Sequence, residues 1–69
     1  MFSELETKLQ LNQQQTAKFL GLSKSAYSMF RSGARKTPLY VIYQIDLVMM
    51  LPEAKLKKLI KSRLSWDDG

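Results

Sequence analysis

The chain has 69 residues, 45% of them hydrophobic and 25% charged, and contains neither cysteine nor histidine. A chain of that length holds one small domain whose core is only marginally stable alone, so self-association would add stability. Without Cys or His it has no disulfide, no thiolate or imidazole metal ligand, no thiol nucleophile and no histidine base. Eleven Lys and Arg against six Asp and Glu give a formal charge of +5, which favours a polyanionic partner.

The acidic residues form no metal-binding pattern, and a tyrosine nucleophile of recombinase type would need a surrounding set of cations that one small domain hardly provides. Neither an enzymatic activity nor a cofactor is expected. No apolar run approaches the roughly 18 residues of a membrane span. Glu4 and Glu6 stand where a signal peptide would be basic. A cytoplasmic protein without a membrane partner or a separate effector domain is therefore expected.

In chain order, Ser3 and Glu6 have the S-x-x-E spacing of a capping box, which predicts a first helix to about Leu9 with Leu5 and Leu9 on one face. Asn12 and Gln15 repeat that spacing ahead of a second helix, Gln13 to Leu20. Gly21 then provides a residue that tolerates positive φ at no steric cost, and Ser23 is a good N-cap for a third helix from Lys24 to Arg31. Gly33 ends that helix as its C-cap, and a basic loop follows over 34–37. Thr37 as N-cap and Pro38 at the first helical position open a fourth helix to about Met50, which Leu51 and Pro52 interrupt. From Glu53 to Leu64 a fifth helix sets Leu56, Leu59, Ile60 and Leu64 on one face, with Lys55, Lys57, Lys58, Lys61 and Arg63 around the rest. The expectation is an all-α, five-helix single domain spanning 1–69, with its core over about 3–64 and a tail over 65–69.

The fourth segment needs an arbitration. LYVIY over Leu39–Tyr43 is rich in β-branched and aromatic residues, as a strand would be. The apolar run continues to Leu51 without turn residues, however, too long for one strand and unbroken for a hairpin, so helix is preferred. Only Gln44 and Asp46 are strongly polar in it. Ile42, Ile45 and Met49 are assigned to the core of the monomer. Tyr40, Tyr43, Leu47 and Met50, with Trp66 from the tail, are left to meet either the fifth helix or a second copy of the chain. In a homodimer, two-fold symmetry would set two copies of the third helix side by side, related by the same axis.

The segment from Gln13 to Gly33, QQQTAKFLGLSKSAYSMFRSG, carries most of the functional information. Ala17 lies four residues before Gly21, so two short helices can cross closely at a small side chain and turn sharply at the glycine. Ala26, Tyr27 and Phe30 form the inward stripe of the third helix, leaving Lys24, Ser25, Ser28, Met29 and Arg31 outside.

On Gln13, Ala17, Leu20, Gly21, Leu22, Tyr27 and Phe30, this segment resembles the helix-turn-helix of the lambdoid phage repressors, the Cro proteins and the small bacterial regulators built like them. RSGARKTPLYV resembles the family's loop into its fourth helix, so the likeness runs from about Leu11 to Leu51. Thr16 and Tyr27 depart from the family pattern, which has an apolar and a small β-branched residue there. They are the residues most apt to turn the third helix from the family's pose.

The resemblance implies a Cro/repressor-like fold and a transcriptional regulator reading double-stranded DNA. Side chains near the N-terminal end of a helix in the major groove reach base edges, which points to Lys24, Ser25 and Met29. Lys24 suits guanine O6 or N7, Ser25 either base type, and Met29 a thymine methyl. Backbone contacts are expected from Asn12 and Gln13 at the start of the second helix, from Ser23, Ser28 and Arg31, and from Arg35 and Lys36 in the basic loop. A Cro-like repressor acting as a dimer on a palindromic operator is one reading. An antitoxin-like or plasmid-maintenance regulator, which would turn its apolar face to a protein partner, is the other. An interaction protein without DNA binding would be expected to carry a neutral or acidic third helix instead.

Overall fold

The computed structural model describes residues 1–65, which form helices α1 (Phe2–Leu9), α2 (Gln13–Leu20), α3 (Lys24–Ser32), α4 (Leu39–Met49) and α5 (Glu53–Leu64) and contain no strand. None of these helices is long and apolar enough to cross a membrane. The apolar stretch over 39–49 is helical, as its uninterrupted length predicts.

Local signals set most of the boundaries. Asn12 accepts from the Gln15 N–H at 2.8 Å, and the Gln15 side chain accepts from the Asn12 N–H at 3.1 Å, a complete capping box that starts α2. Ser23 Oγ accepts from the Ala26 N–H at 3.0 Å and starts α3. Gly21 and Gly33 stop α2 and α3 at φ of 77° and 85°. At Gly21 the N–H donates to the Lys18 carbonyl and the Leu22 N–H to the Ala17 carbonyl, the paired bonds of a Schellman turn. No atom lies within 4 Å of a Cβ built on Gly21, so its positive φ, and not crowding, selects glycine.

Three sequence expectations are corrected. Ser3 and Glu6 form no capping box: α1 begins at Phe2 with Met1 as its N-cap and no side-chain cap. Phe2 is the reason, because helical geometry from that residue puts its ring on the buried face with Leu5 and Leu9 and leaves Ser3 inside the first turn. Phe2 thereby extends the core one residue beyond the predicted span. Second, Pro38 takes the N-cap of α4 that Thr37 was expected to fill; with φ −63° and ψ 151° its carbonyl receives the Val41 and Ile42 N–H groups. Pro52 takes the N-cap of α5, and its carbonyl receives the Leu56 N–H at 2.9 Å. Third, α4 buries Val41, Ile45 and Val48, not Ile42 and Met49. In a helix apolar all round, periodicity carries no phase, and the buried face is chosen by the partners that the other helices offer.

For α4 that partner is mainly α1. Helix α1 packs on α2, α4 and α5, while α2 packs on α3 and α5. The core draws Leu5 and Leu9 from α1, Ala17 and Phe19 from α2, Tyr27 and Phe30 from α3, the three α4 residues, and Leu56 from α5. Thr16, the buried polar residue among them, is fully enclosed, and its Oγ1 donates to the Asn12 carbonyl at 2.8 Å, so the hydroxyl is not left without a partner. Arg63 fastens α5 to the rest: its guanidinium lies 4.6 Å from the Phe19 ring centroid and donates to the Phe19 carbonyl at 2.8 Å and to Gln44 Oε1 at 2.5 Å.

Helix α5 does not cover α4. Leu39, Tyr40, Tyr43, Leu47 and Met50 keep between 60% and 77% of their surface exposed. Trp66, assigned to the same face, lies outside the described residues.

Candidate nucleic-acid interface

Helix α3 is anchored by two side chains. Tyr27 and Phe30 are buried, and the Tyr27 ring meets the Phe2 ring edge-on with centroids 5.4 Å apart. On the outside, Ser25, Ser28, Met29 and Ser32 follow one another at i, i+3, i+4 and i+7 and so form one exposed row. Lys24, Ser28 and Arg31 form the adjacent row at i, i+4 and i+7. Met29 contributes an apolar surface, 38% exposed, in an otherwise polar face.

Lys24, Ser25 and Met29 thus lie together on the outer surface of α3. Asn12 and Gln13 are exposed at the start of α2, and Asn12 uses its Oδ1 for capping while its amide N–H₂ group remains available. Ser23 likewise accepts with its hydroxyl oxygen and keeps the O–H for another partner. Asn12, Gln15, Lys18 and Lys24 border one concavity between the start of α2 and the start of α3, so the two groups of expected contact residues share a surface. Beyond α3, Arg35 and Lys36 are exposed, and the Arg35 N–H donates to the Met29 carbonyl at 3.2 Å, tying the basic loop to the helix. Lys24, Arg35 and Lys36 take part in no ion pair among the described residues.

Arg31 is different. Its Nε donates to Glu6 Oε2 at 2.8 Å and its Nη2 to Glu6 Oε1 at 3.1 Å, an edge-on bidentate pair between α3 and α1. The Tyr27 hydroxyl donates to the same carboxylate. The Arg31 hydrogen bonds hold the Glu6 carboxyl below its ordinary pKa, outweighing the opposing effect of burial. Burial and the Glu6 carboxylate together push the Tyr27 hydroxyl far above its ordinary value, so it stays a donor. Sequence reasoning missed this cluster because its members lie 21 and 25 residues apart. One signal was available: a buried tyrosine needs a partner for its hydroxyl, although nothing in the sequence points to Glu6 as that partner.

Among the described residues no three His, Cys, Asp or Glu side chains gather where they could hold a metal ion. No protein-family model, no curated protein and no solved structure matches the chain.

Proposed function

We propose that the chain is a sequence-specific, double-stranded DNA-binding transcriptional regulator of Cro-like type, with α2 and α3 as its helix-turn-helix. One observation carries the reading: α3 is fixed by buried Tyr27 and Phe30 and turns Lys24, Ser25, Ser28 and Met29 outward together. In the major groove Lys24 and Ser25 would meet base edges and Met29 a thymine methyl. Asn12, Gln13, Ser23, Ser28, Arg35 and Lys36 would take the flanking phosphates, which contribute affinity and salt dependence without sequence information.

A homodimer through the exposed face of α4 completes the proposal. Aromatic side chains offer about 150–250 Å² each, and Leu and Met somewhat less. Leu39, Tyr40, Tyr43, Leu47 and Met50 at their observed exposure leave on the order of 600 Å² of apolar surface. That approaches the ~800 Å² which each partner contributes to a standard interface. Helix α4 also carries no Lys or Arg, so two copies of a chain with charge +5 can meet there with little repulsion. Two recognition helices would then read a palindromic operator, and repression would follow from excluding RNA polymerase.

The same α4 face also supports the second reading, in which an antitoxin-like or plasmid-maintenance regulator covers it with a different protein. Sedimentation of the isolated chain separates the two, since a symmetric dimer favours the first. Selection of bound duplexes from random DNA tests the function itself, with two inverted half-sites expected. Binding that depends on salt but not on sequence would overturn the specific-regulator reading.

A further inference from the structure

Arg31 stands in the exposed row of α3 with Lys24 and Ser28, yet its charge is directed inward. A guanidinium presents Nε and one terminal nitrogen as a fork that fits two oxygens of a carboxylate or of a phosphate equally well. Glu6 fills that fork with both of its oxygens, at 2.8 and 3.1 Å. Its side chain is 13% exposed while that of Arg31 is 34% exposed, so the acceptor is the enclosed member of the pair and the cation the outer one. The carboxylate is also held by the hydroxyl of Tyr27, whose ring is buried against Phe2. A surface carboxylate on a loose side chain would yield to a phosphate. One that three donors converge on, two of them from Arg31 itself, does not.

We propose that Glu6 is a built-in substitute for a DNA phosphate, which withholds Arg31 from the duplex and so lowers sequence-blind affinity while leaving the base-reading residues of α3 untouched. The inference rests on the DNA-binding reading above and sharpens it. A cation that meets only phosphates strengthens binding to all sequences alike, whereas operator selectivity is the ratio of specific to non-specific binding. Neutralising the cation nearest the end of α3 raises that ratio without adding a base contact.

The test uses the full chain and a random-sequence duplex, with affinity followed by fluorescence anisotropy across a salt series. Arg31→Ala is expected to leave the slope of log K against log salt at its wild-type value. Glu6→Gln, which keeps an oxygen to accept from Tyr27 but releases Arg31, is expected to steepen the slope by about 0.9. The double variant Glu6→Gln/Arg31→Ala should return to the wild-type slope. Glu4→Gln is the charge control: Glu4 is exposed, pairs with the N-terminal amine and makes the same change in formal charge, so no change in slope is expected.

A slope that falls by about 0.9 in Arg31→Ala alone means that Arg31 already holds a phosphate, and overturns the proposal even if Glu6→Gln does not fold. A folded Glu6→Gln with unchanged slope overturns it too. Absence of any salt-dependent duplex binding by the wild-type chain is a different result: it removes the DNA-binding reading, and this inference with it.

Discussion

Glu6 receives Tyr27 and Arg31 at a single carboxylate, and the sign of its effect on stability follows from its titration. Its folded-state pKa lies below the ordinary value of 4.5, so its contribution is complete above that pH and is lost as pH falls through the lower folded value. Glu6→Gln is therefore expected to lower unfolding free energy by about 1–3 kcal/mol at pH 7. The deficit should shrink in urea titrations as the pH is lowered stepwise below 4.5, because the stabilisation from the depressed carboxylate is progressively lost there. Gln10 offers the opposite change. It is the sole non-glycine residue with positive φ among those described, at φ 57°, where it closes α1 with the Leu11 N–H on the Glu6 carbonyl. Gln10→Gly should stabilise the fold by up to ~1 kcal/mol, the usual cost of a side chain in that region. Thermal unfolding would register this as a rise of about 4–8 °C for each kcal/mol. Neither residue's role was legible in the sequence. The S-x-x-E spacing assigned Glu6 to a partner three residues away, whereas its partners lie on another helix. Gln10 carries no sign of a left-handed cap, because the conformation is imposed by the turn into α2.

At the scale of elements, the stops and starts around α2 and α3 were legible because each is written in a single residue and a bond of short range. The Asn12–Gln15 box, Gly21, Ser23 and Gly33 all act within five residues of where they stand. Helix α4 could be read as a helix and its exposed row of Tyr40, Tyr43, Leu47 and Met50 set apart, but of its core positions only Ile45 was placed, since nearly every position along it is apolar and its buried side depends on α1. The same distinction separates the two kinds of contact proposed for DNA. Lys24 sits in the first turn of α3, which the proposed docking would turn to the bases, and Lys24→Ala should relax preference at one operator position at a cost of about 1–3 kcal/mol. Arg35 sits in the loop, and Arg35→Ala should weaken all sequences alike and reduce the salt slope by about 1. Affinity profiling on a set of single-base operator variants distinguishes the two patterns.

Over the whole molecule, the dimensions and the exposed face bear on one another. The fold measures 33 × 30 × 19 Å, close in two directions to the ~34 Å that separates successive major-groove faces on one side of B-DNA. Two such units joined through α4 would set one α3 on each half-site. Leu47→Lys places like charges across that two-fold interface at a side chain already 66% exposed, so the helices should persist by circular dichroism. Sedimentation equilibrium should show the loss of self-association, and operator affinity should fall more than affinity for a single half-site. The charge of +5 pointed to a polyanion without saying which surface would meet it. The outward residues of α3 and the exposed row of α4 were legible from helical spacing, whereas the packing was needed to show that α5 leaves the α4 row uncovered.

The hydrogen bond from the Arg35 N–H to the Met29 carbonyl also has a kinetic consequence. It makes the start of the loop part of the same opening unit as the last turn of α3, so the Arg35 amide should exchange its proton for deuterium at the pace of that turn, not at the pace of a surface loop. The backbone entropy of placing Arg35 is then already lost when the chain folds. Docking on a duplex would have only its side chain left to order, which favours a fast, rigid-body encounter over folding of the loop on contact.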